Sequence, residues 1–479
     1  MKIKSLKNIF ILFLLAALTA GAQEASKIVS PMTLEQCIDY ALKNNIQIKQ
    51  SILNTELSQL SLTQSEANLL PELNANGSHA YNFGRTIDRF TNEFATQEVL
   101  SQNFSLNSDI TLFSGWQNVN AIKQNRYNYL ANKYNVDKIK NDISLNIASA
   151  YLQILFALET VENARNQMGI TDGQVQRTKL LVDAGAAAKG TLLDIQAQLA
   201  SEELNLTTSQ NQLDISYLSL AQLLNLEKPD DFRIVKPDLA IANESLLTAT
   251  ANQIYITAIS NLPEIKSAEN NVKSSEKAID IAWGGLSPRL VFSAAYGTGY
   301  SGLSQRIVTP YVFQGLVPNG SLLSTGQLVY IPTFATEKIP FSEQYKDNVN
   351  KSFGFILTVP IFNRLQTKTA IDKAKIQKIN ADLSVESAKL QVQKSIQQAY
   401  ADANGGLKKY NASLKAVDAT AESFKYTEQK FNVGLVNTIS YNDAKNKLTK
   451  AQNDLLQAKY EYVFKIKVLD FYQGKPLKF

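Results

Sequence analysis

Leu100-Ser101-Gln102-Asn103-Phe104-Ser105-Leu106-Asn107-Ser108-Asp109-Ile110-Thr111-Leu112-Phe113 alternates between two chemistries. Leu100, Gln102, Phe104, Leu106, Ser108, Ile110 and Leu112 form one set, and Ser101, Asn103, Ser105, Asn107, Asp109 and Thr111 form the other. Successive side chains of a strand point to opposite faces, so a period of two predicts a strand with one apolar and one polar face. Just upstream, Leu73, Ala75, Gly77, His79, Tyr81 and Phe83 alternate with Asn74, Asn76, Ser78, Ala80 and Asn82. Leu290, Phe292, Ala294, Tyr296 and Tyr300 share a face in a third run, and Phe353, Phe355, Leu357, Val359 and Ile361 in a fourth. The expected strands are about 71–83, 100–113, 288–300 and 351–362. Their length of about 10–13 residues matches a strand crossing a bilayer. A half-buried strand in a soluble sheet has the same pattern. Aromatics at the ends favour the membrane: Phe113, Trp116, Trp283 and Phe362 at one end, Tyr81, Phe83, Tyr296 and Tyr300 at the other.

The four runs come in pairs because the chain is duplicated. Asn44 to Leu73 aligns with Asn261 to Leu290 at a constant offset of 217, and Phe113 to Leu220 with Phe362 to Leu469 at 249. Ile48/Ile265, Pro71/Pro288, Ala150-Tyr151/Ala399-Tyr400, Gly185/Gly434, Asp194/Asp443 and Leu199/Leu448 fall in register. Two copies of one unit are therefore expected, each a helix, a strand pair and a long helical hairpin. A single helix is predicted from Thr33 to Leu69, with Thr33 or Ser30 as its cap and Pro71 ending it.

The hairpin helices are long. Gln117 to about Val182 and Gln366 to about Phe431 contain no proline, which corresponds to roughly 100 Å of continuous helix each. In the second, Val385, Ala388, Val392, Ile396, Ala399, Ala403 and Leu407 recur at threes and fours, which is coiled-coil spacing. The stripe is narrow, and a narrow stripe suits a thin wall wetted on both sides.

Composition removes most chemistry. Cys37 and His79 are the only residues of their kinds, so no intrachain disulfide can form and no metal cluster of the usual kind is expected, and no Ser-His or Cys-His constellation stands out in the sequence. No enzyme activity, cofactor or metal is expected, and Cys37 reads as a small buried hydrophobe. Residues 1–22 read as a signal peptide: Lys2, Lys4 and Lys7, then apolar Ile9 to Leu18, then Ala20-Gly21-Ala22. The residue after that site is Gln23 and not a cysteine, so no lipid anchor is expected. Without the signal, 45 basic residues face 43 acidic ones, which points away from nucleic acid. No run of about 18 apolar residues follows, so no transmembrane helix is expected.

Four strands are too few to close a barrel, and lipid tolerates no open strand edge. Strands that span a membrane here must be shared among several chains. The layout resembles the TolC-type outer-membrane efflux duct family over nearly the whole mature chain. The resemblance rests on the opening helix Leu34 to Leu42, the Pro71 and Pro288 steps into strands, and the exits Leu112-Phe113-Ser114-Gly115 and Val359-Pro360-Ile361-Phe362. It rests also on the turns Leu181 to Gly185 and Phe431-Asn432-Val433-Gly434, and above all on their duplicated order.

The resemblance implies a mainly α fold with a membrane β part: a homotrimer with a twelve-stranded β-barrel continued by a long periplasmic α-helical barrel. It implies a Gram-negative outer membrane location and a passive duct fed by a periplasmic adaptor and an inner-membrane pump, in efflux or protein secretion. The alternative from the residues alone is a soluble periplasmic or surface coiled-coil adhesin. The expected divisions are a first repeat at 23–226 with its hairpin at about 116–226, a linker or equatorial region at 227–250, a second repeat at 251–472 with its hairpin at about 364–472, and a tail at 473–479. The hairpin tips map to about Val182–Asp194 and Phe431–Asp443, where Gly185, Gly434, Val433 and Phe431 would form the turns that meet the adaptor. Where this family often has an acidic residue three positions before Asp443, this chain has Ser440. Asp194 and Asp443 each precede a stripe leucine by five residues, about 140° around the helix, so both are expected to face water as candidate entrance carboxylates.

Overall fold

The computed structural model describes residues 31–88, 90–92, 94–95, 98–226, 229, 231–237 and 249–478. The expected signal peptide and much of the linker lie outside them. In chain order the helices are α1 Leu34–Asn44, α2 Ile46–Ala67, α3 Gln117–Asp183, α4 Lys189–Leu224, α5 Ala251–Asn261, α6 Pro263–Gly284, α7 Phe341–Asp347, α8 Gln366–Asn432 and α9 Thr438–Tyr472. The strands are β1 Glu72–Asn82, β2 Thr86–Ile87, β3 Phe94–Ala95, β4 Val99–Ser114, β5 Arg289–Ser301, β6 Gln305–Ile307, β7 Phe313–Leu322, β8 Leu328–Phe334, β9 Thr336–Lys338 and β10 Asn350–Thr358.

The duplication extends to individual backbone angles. The predicted single helix from Thr33 to Leu69 is two helices, because Asn45 between α1 and α2 is extended, with φ −62° and ψ 131°. Its counterpart at the 217 offset, Leu262 between α5 and α6, has φ −64° and ψ 130°. In the first copy the break is held by Asn45 Nδ2 donating to the Leu223 carbonyl at 3.1 Å and by the Ile46 N–H donating to Asn225 Oδ1 at 3.3 Å. In the second copy Pro263 enforces the break by lacking an N–H. The cap of α1 is Thr33, in a reciprocal capping box with Gln36. The step from sheet to long helix also repeats. Gly115 and Trp116 have φ of 61° and 64°, and their counterparts at the 249 offset, Arg364 and Leu365, have 53° and 62°. Both long helices then run for 67 residues.

Contacts divide the chain into two units, each drawn from both sequence repeats. One comprises the chain up to Ile46, Lys140–Ile254 and Ile396–Phe479; the other comprises Gln47–Ile139 and Tyr255–Ser395. The first unit is helical. Cys37, Ala41, Ile147, Ile154, Leu155, Leu220, Leu224 and Ala458 are buried in its core. Here α3 is covered more broadly than the predicted stripe, since Tyr151, Leu152 and Leu155 are buried beside Ile147 and Ile154. The same region of α3 makes that helix apolar enough over 18 residues to cross a membrane, contrary to the sequence expectation. Its apolarity is explained by the core it fills. The described part of the linker is stitched to the start of the chain: Ile234 bridges Met32 in parallel, and Tyr151 Oη donates to the Val235 carbonyl at 2.5 Å.

The second unit holds the sheet, β1-β4-β5-β10, with every neighbouring pair antiparallel. Below it α2, α3 and α6 meet through small polar side chains, Asn132 Nδ2 of α3 donating to Ser58 Oγ of α2. Ser267 Oγ donates to the Ala131 carbonyl at 2.9 Å and Ser274 Oγ to Asn128 Oδ1 at 2.6 Å. Such contacts let helices approach closely with little apolar surface, which fits the narrow stripes. Strand β10 stops at Thr358, short of the predicted end at 362, because Pro360 cannot donate to a ladder. Its counterpart in β4 is Thr111, where the ladder continues past a bulge at Leu112 to Ser114.

Candidate channel wall and hairpin tips

Register gathers the four apolar stripes on one face of the sheet. Ala75 stands opposite Leu106, Leu106 opposite Tyr296, and Tyr296 opposite Lys351. One register step nearer the helices, Leu73, Ser108, Ala294 and Phe353 align, followed by Ile110, Phe292 and Phe355. Directly opposed residues of an antiparallel pair share a face, so the apolar residues of all four strands gather on this face, with Ser108 and Lys351 among them. Much of it is uncovered: Leu73, Phe353, Phe355 and Leu357 are each more than 60% exposed. The opposite face carries Asn76, Ser78, Asn103, Ser105, Asn107 and Asp109, with Asp109 accepting a hydrogen bond from Ser293 Oγ. An exposed apolar face of this size in water marks an interaction site or a membrane.

The aromatics predicted for the membrane boundary fall at several levels. Phe113 stands opposite Leu290 after the bulge and packs edge-on against Trp116, with ring centroids 6.2 Å apart. Trp283, at the end of α6, has the Lys375 ammonium 5.7 Å from its ring centroid. Phe362 lies beyond the end of β10 and is exposed. Tyr81 is near the far end of β1, whereas Tyr296 lies within β5, opposite Leu106.

The loops at the far end of the sheet do more than connect strands. Beyond the start of β10 the edge of β5 is capped by α7. Gln344 accepts from the Ser301 N–H at 2.9 Å and donates back to the Ser301 carbonyl at 3.0 Å, as a partner strand would. From Ile307 to Thr336 there is no charged residue. Within that stretch β7 and β8 form a two-stranded arm exposing Phe313, Leu316, Leu322 and Tyr330.

The predicted tip turns fall in the helical unit. Gly185 and Gly434 both have φ of +77°. After each, a doubled hydrogen bond closes the helix: Gly185 N–H to the Val182 carbonyl and Ala186 N–H to Leu181, then Gly434 N–H to Phe431 and Leu435 N–H to Lys430. This is the Schellman arrangement, which needs a left-handed residue at that position. Val433 is exposed. The Phe431 ring lies 4.7 Å from that of buried Tyr441, and burial pushes the Tyr441 hydroxyl up to about 12. The next helices start differently, since Asn437 caps α9 by accepting from the Ser440 N–H, while Ala188 offers α4 no side-chain cap. A cavity of about 360 Å³ lies between the two turns, lined by Gln174, Arg177, Leu181, Asp194, Phe431 and Asn437. Arg177 Nη1 donates to Asn432 Oδ1 at 2.7 Å across it. Asp194 and Asp443 are both exposed, and Asp443 accepts from Lys447 at 2.7 Å.

Sequence reasoning missed the polar lock behind the tips. Lys445 Nζ donates to Glu202 Oε1, to the Gln167 carbonyl and to Thr171 Oγ1, and Thr171 Oγ1 donates to Glu202 Oε2 at 2.6 Å. Burial pushes the Lys445 ammonium below the usual lysine range, and Glu202 pulls it back only in part. The signal was available. Glu202 lies between Leu199 and Leu206, and Lys445 three residues before Leu448, so both charges occupy positions of the apolar stripe.

An antiparallel sheet with one uncovered apolar face, joined to two duplicated 67-residue helices with glycine-turned tips, defines a membrane channel chain. The chain belongs to the outer membrane efflux protein family, whose model matches residues 37–226 and 254–470. It is similar to the outer membrane protein TolC of Vibrio cholerae, 21% identical over 96% of this chain and 94% of that one. It is also similar to the probable efflux pump outer membrane protein TtgC of Pseudomonas putida, 24% identical over 88% and 79%. Among solved structures, the outer-membrane channel OprN superposes with a TM-score of 0.74 at 16% identity over 93% of this chain and 90% of its own. VceC from Vibrio cholerae gives 0.72 at 14% identity over 93% and 97%. The fold is that of these channels, and the protein is an outer-membrane protein of the Gram-negative type.

Proposed function

We propose that three copies form one passive conduit through the outer membrane, receiving substrate from a periplasmic adaptor and an inner-membrane pump. The observation that carries this reading is the sheet. Among the described residues β1 and β10 each pair on one side only. In lipid such edges must be satisfied by another chain. The four strands alternate in direction, so β10 of one copy meets β1 of the next antiparallel, and the same contact repeats around a ring. Three copies give twelve strands, within the range of outer-membrane barrels. The apolar face then meets lipid, and the polar face lines the conduit.

In this arrangement the sequence repeats at 23–226 and 251–472 each supply one strand pair and one helical hairpin to the wall. The turns at Gly185 and Gly434, with Val433 and Phe431, form the periplasmic entrance and adaptor contact, and Asp194 and Asp443 place two carboxylates per chain beside it. The aromatics Phe113, Trp116, Trp283, Phe362, Tyr81 and Tyr296 anchor the membrane part. The chemistry is transport without catalysis, by efflux or secretion.

Membrane fractionation followed by native mass analysis in mild detergent tests the assembly. A detergent-requiring trimer is expected. A monomer that extracts without detergent overturns the reading in favour of a soluble coiled-coil protein.

A further inference from the structure

The turn after β2 does not extend away from the sheet. Asp88 is buried, and its carboxylate accepts from the N–H groups of Phe90 and Thr91, both at 2.9 Å, and from Ser301 Oγ. Ser301 stands opposite Ser101, and Gly299 opposite Asn103, so both belong to the polar face of the sheet. The Phe90 ring lies over Gly299 so closely that a Cβ on that residue would clash with Phe90 Cζ. The turn is thus folded onto the polar face, and Gly299 is the residue that gives the ring room. Beneath it a cavity of about 500 Å³ is lined by Ser78, Asn82, Ser101, Asn103 and Gly297, all on that face.

We propose that Asp88 and Phe90 narrow the outer mouth of the conduit and set the cross-section of what can pass there. This rests on the polar face being the conduit wall, as argued above. Three copies around one axis bring three inward-folded turns to the same level. Asp88 is the positioning residue: the N–H groups of Phe90 and Thr91 shape the turn around its carboxylate, and the bond from Ser301 Oγ ties that turn to β5. Phe90 supplies the bulk. An outward-folded loop would leave Asp88 in water and Gly299 uncovered. The narrowing acts on size through the bulk of the Phe90 ring.

The test places a cysteine below the turn on the polar face, Asn76→Cys, opposite Ser105. The native Cys37 is a silent background, because it is fully buried and burial pushes its thiol up to about 12. Intact cells are labelled from outside with a small maleimide and with a bulky polyethylene-glycol maleimide. With the native turn, the small reagent should label and the bulky one should not. Phe90→Ala, and separately Asp88→Ala, should raise bulky labelling several-fold at unchanged trimer yield and unchanged small-reagent rate, and Phe90→Trp should not raise it. Bulky labelling equally fast with the native turn and with Phe90→Ala overturns the proposal, as does exclusion of the bulky reagent by all variants. Failure of the small reagent to label Asn76→Cys in every variant instead removes the conduit wall reading itself.

Discussion

Lys445 on α9 lies 2.9 Å from Glu202 on α4, and the side chains are only 2% and 10% exposed. The pair joins the second hairpin to the first, and Thr171 and Gln167 of α3 complete it. Removing one partner of a buried ion pair strands the other charge, which costs about 3–5 kcal/mol, whereas replacing both by apolar residues is often nearly neutral. Glu202→Leu alone should therefore lower the denaturation midpoint strongly. Adding Lys445→Met should restore most of it, because a stripe of leucine-like residues then continues through the site. Denaturant unfolding followed by helical circular dichroism checks this, and additive losses would refute the lock.

At both tip glycines the choice of substitute should matter for a backbone reason alone. Nothing lies within 4 Å of a Cβ built at Gly185 or Gly434, so sterics with neighbours are not the issue. At φ +77° a β-branched residue is strained, and such strain costs about 1–3 kcal/mol, while asparagine adopts this region more readily. Gly434→Val should reduce both export and adaptor crosslinking at constant trimer yield, and Gly434→Asn should retain them. Unchanged crosslinking in Gly434→Val would count against an adaptor contact at this tip.

Asp194 and Asp443 are expected to act together as a zone of six carboxylates per trimer, although Asp443 is partly offset by Lys447. A ring of carboxylates lining a pore favours cations. Single-channel recording of Asp194→Asn combined with Asp443→Asn should show loss of cation preference. Selectivity and conductance identical to the native protein would place both groups outside the lumen.

The Lys465 ammonium, 2.8 Å from Asp402, holds that carboxyl below the usual carboxylate range, helped by Gln398. A carboxyl lowered on folding binds fewer protons than in the unfolded chain. Its stabilisation is therefore present above the unfolded value and lost as pH falls through the folded one. Native protein and Asp402→Asn should differ in thermal stability at neutral pH and converge well below about pH 4. A difference that persists undiminished into that acid range would show that Asp402 acts by packing.

Period and duplication carry much of this protein in its sequence. The alternation of Leu100 to Leu112 and its three companions required four strands with one apolar face, because side-chain direction follows directly from strand geometry. The 249 offset placed Gly185 and Gly434 at equivalent turns, and both adopt the same left-handed angle. Local chemistry also marked the ends of the long helices. Tertiary structure alone decided what depends on residues distant in sequence. The break at Asn45 is held by Leu223 and Asn225, and the bulge at Leu112 is visible only against β5. The Lys445–Glu202 lock needed two stripes, 243 residues apart, to meet. The inward fold at Asp88 needed Ser301 to be brought beside it, 213 residues away. No local pattern encodes a hydrogen-bond partner distant in sequence, so periodicity gives the faces while packing chooses which remote residues meet.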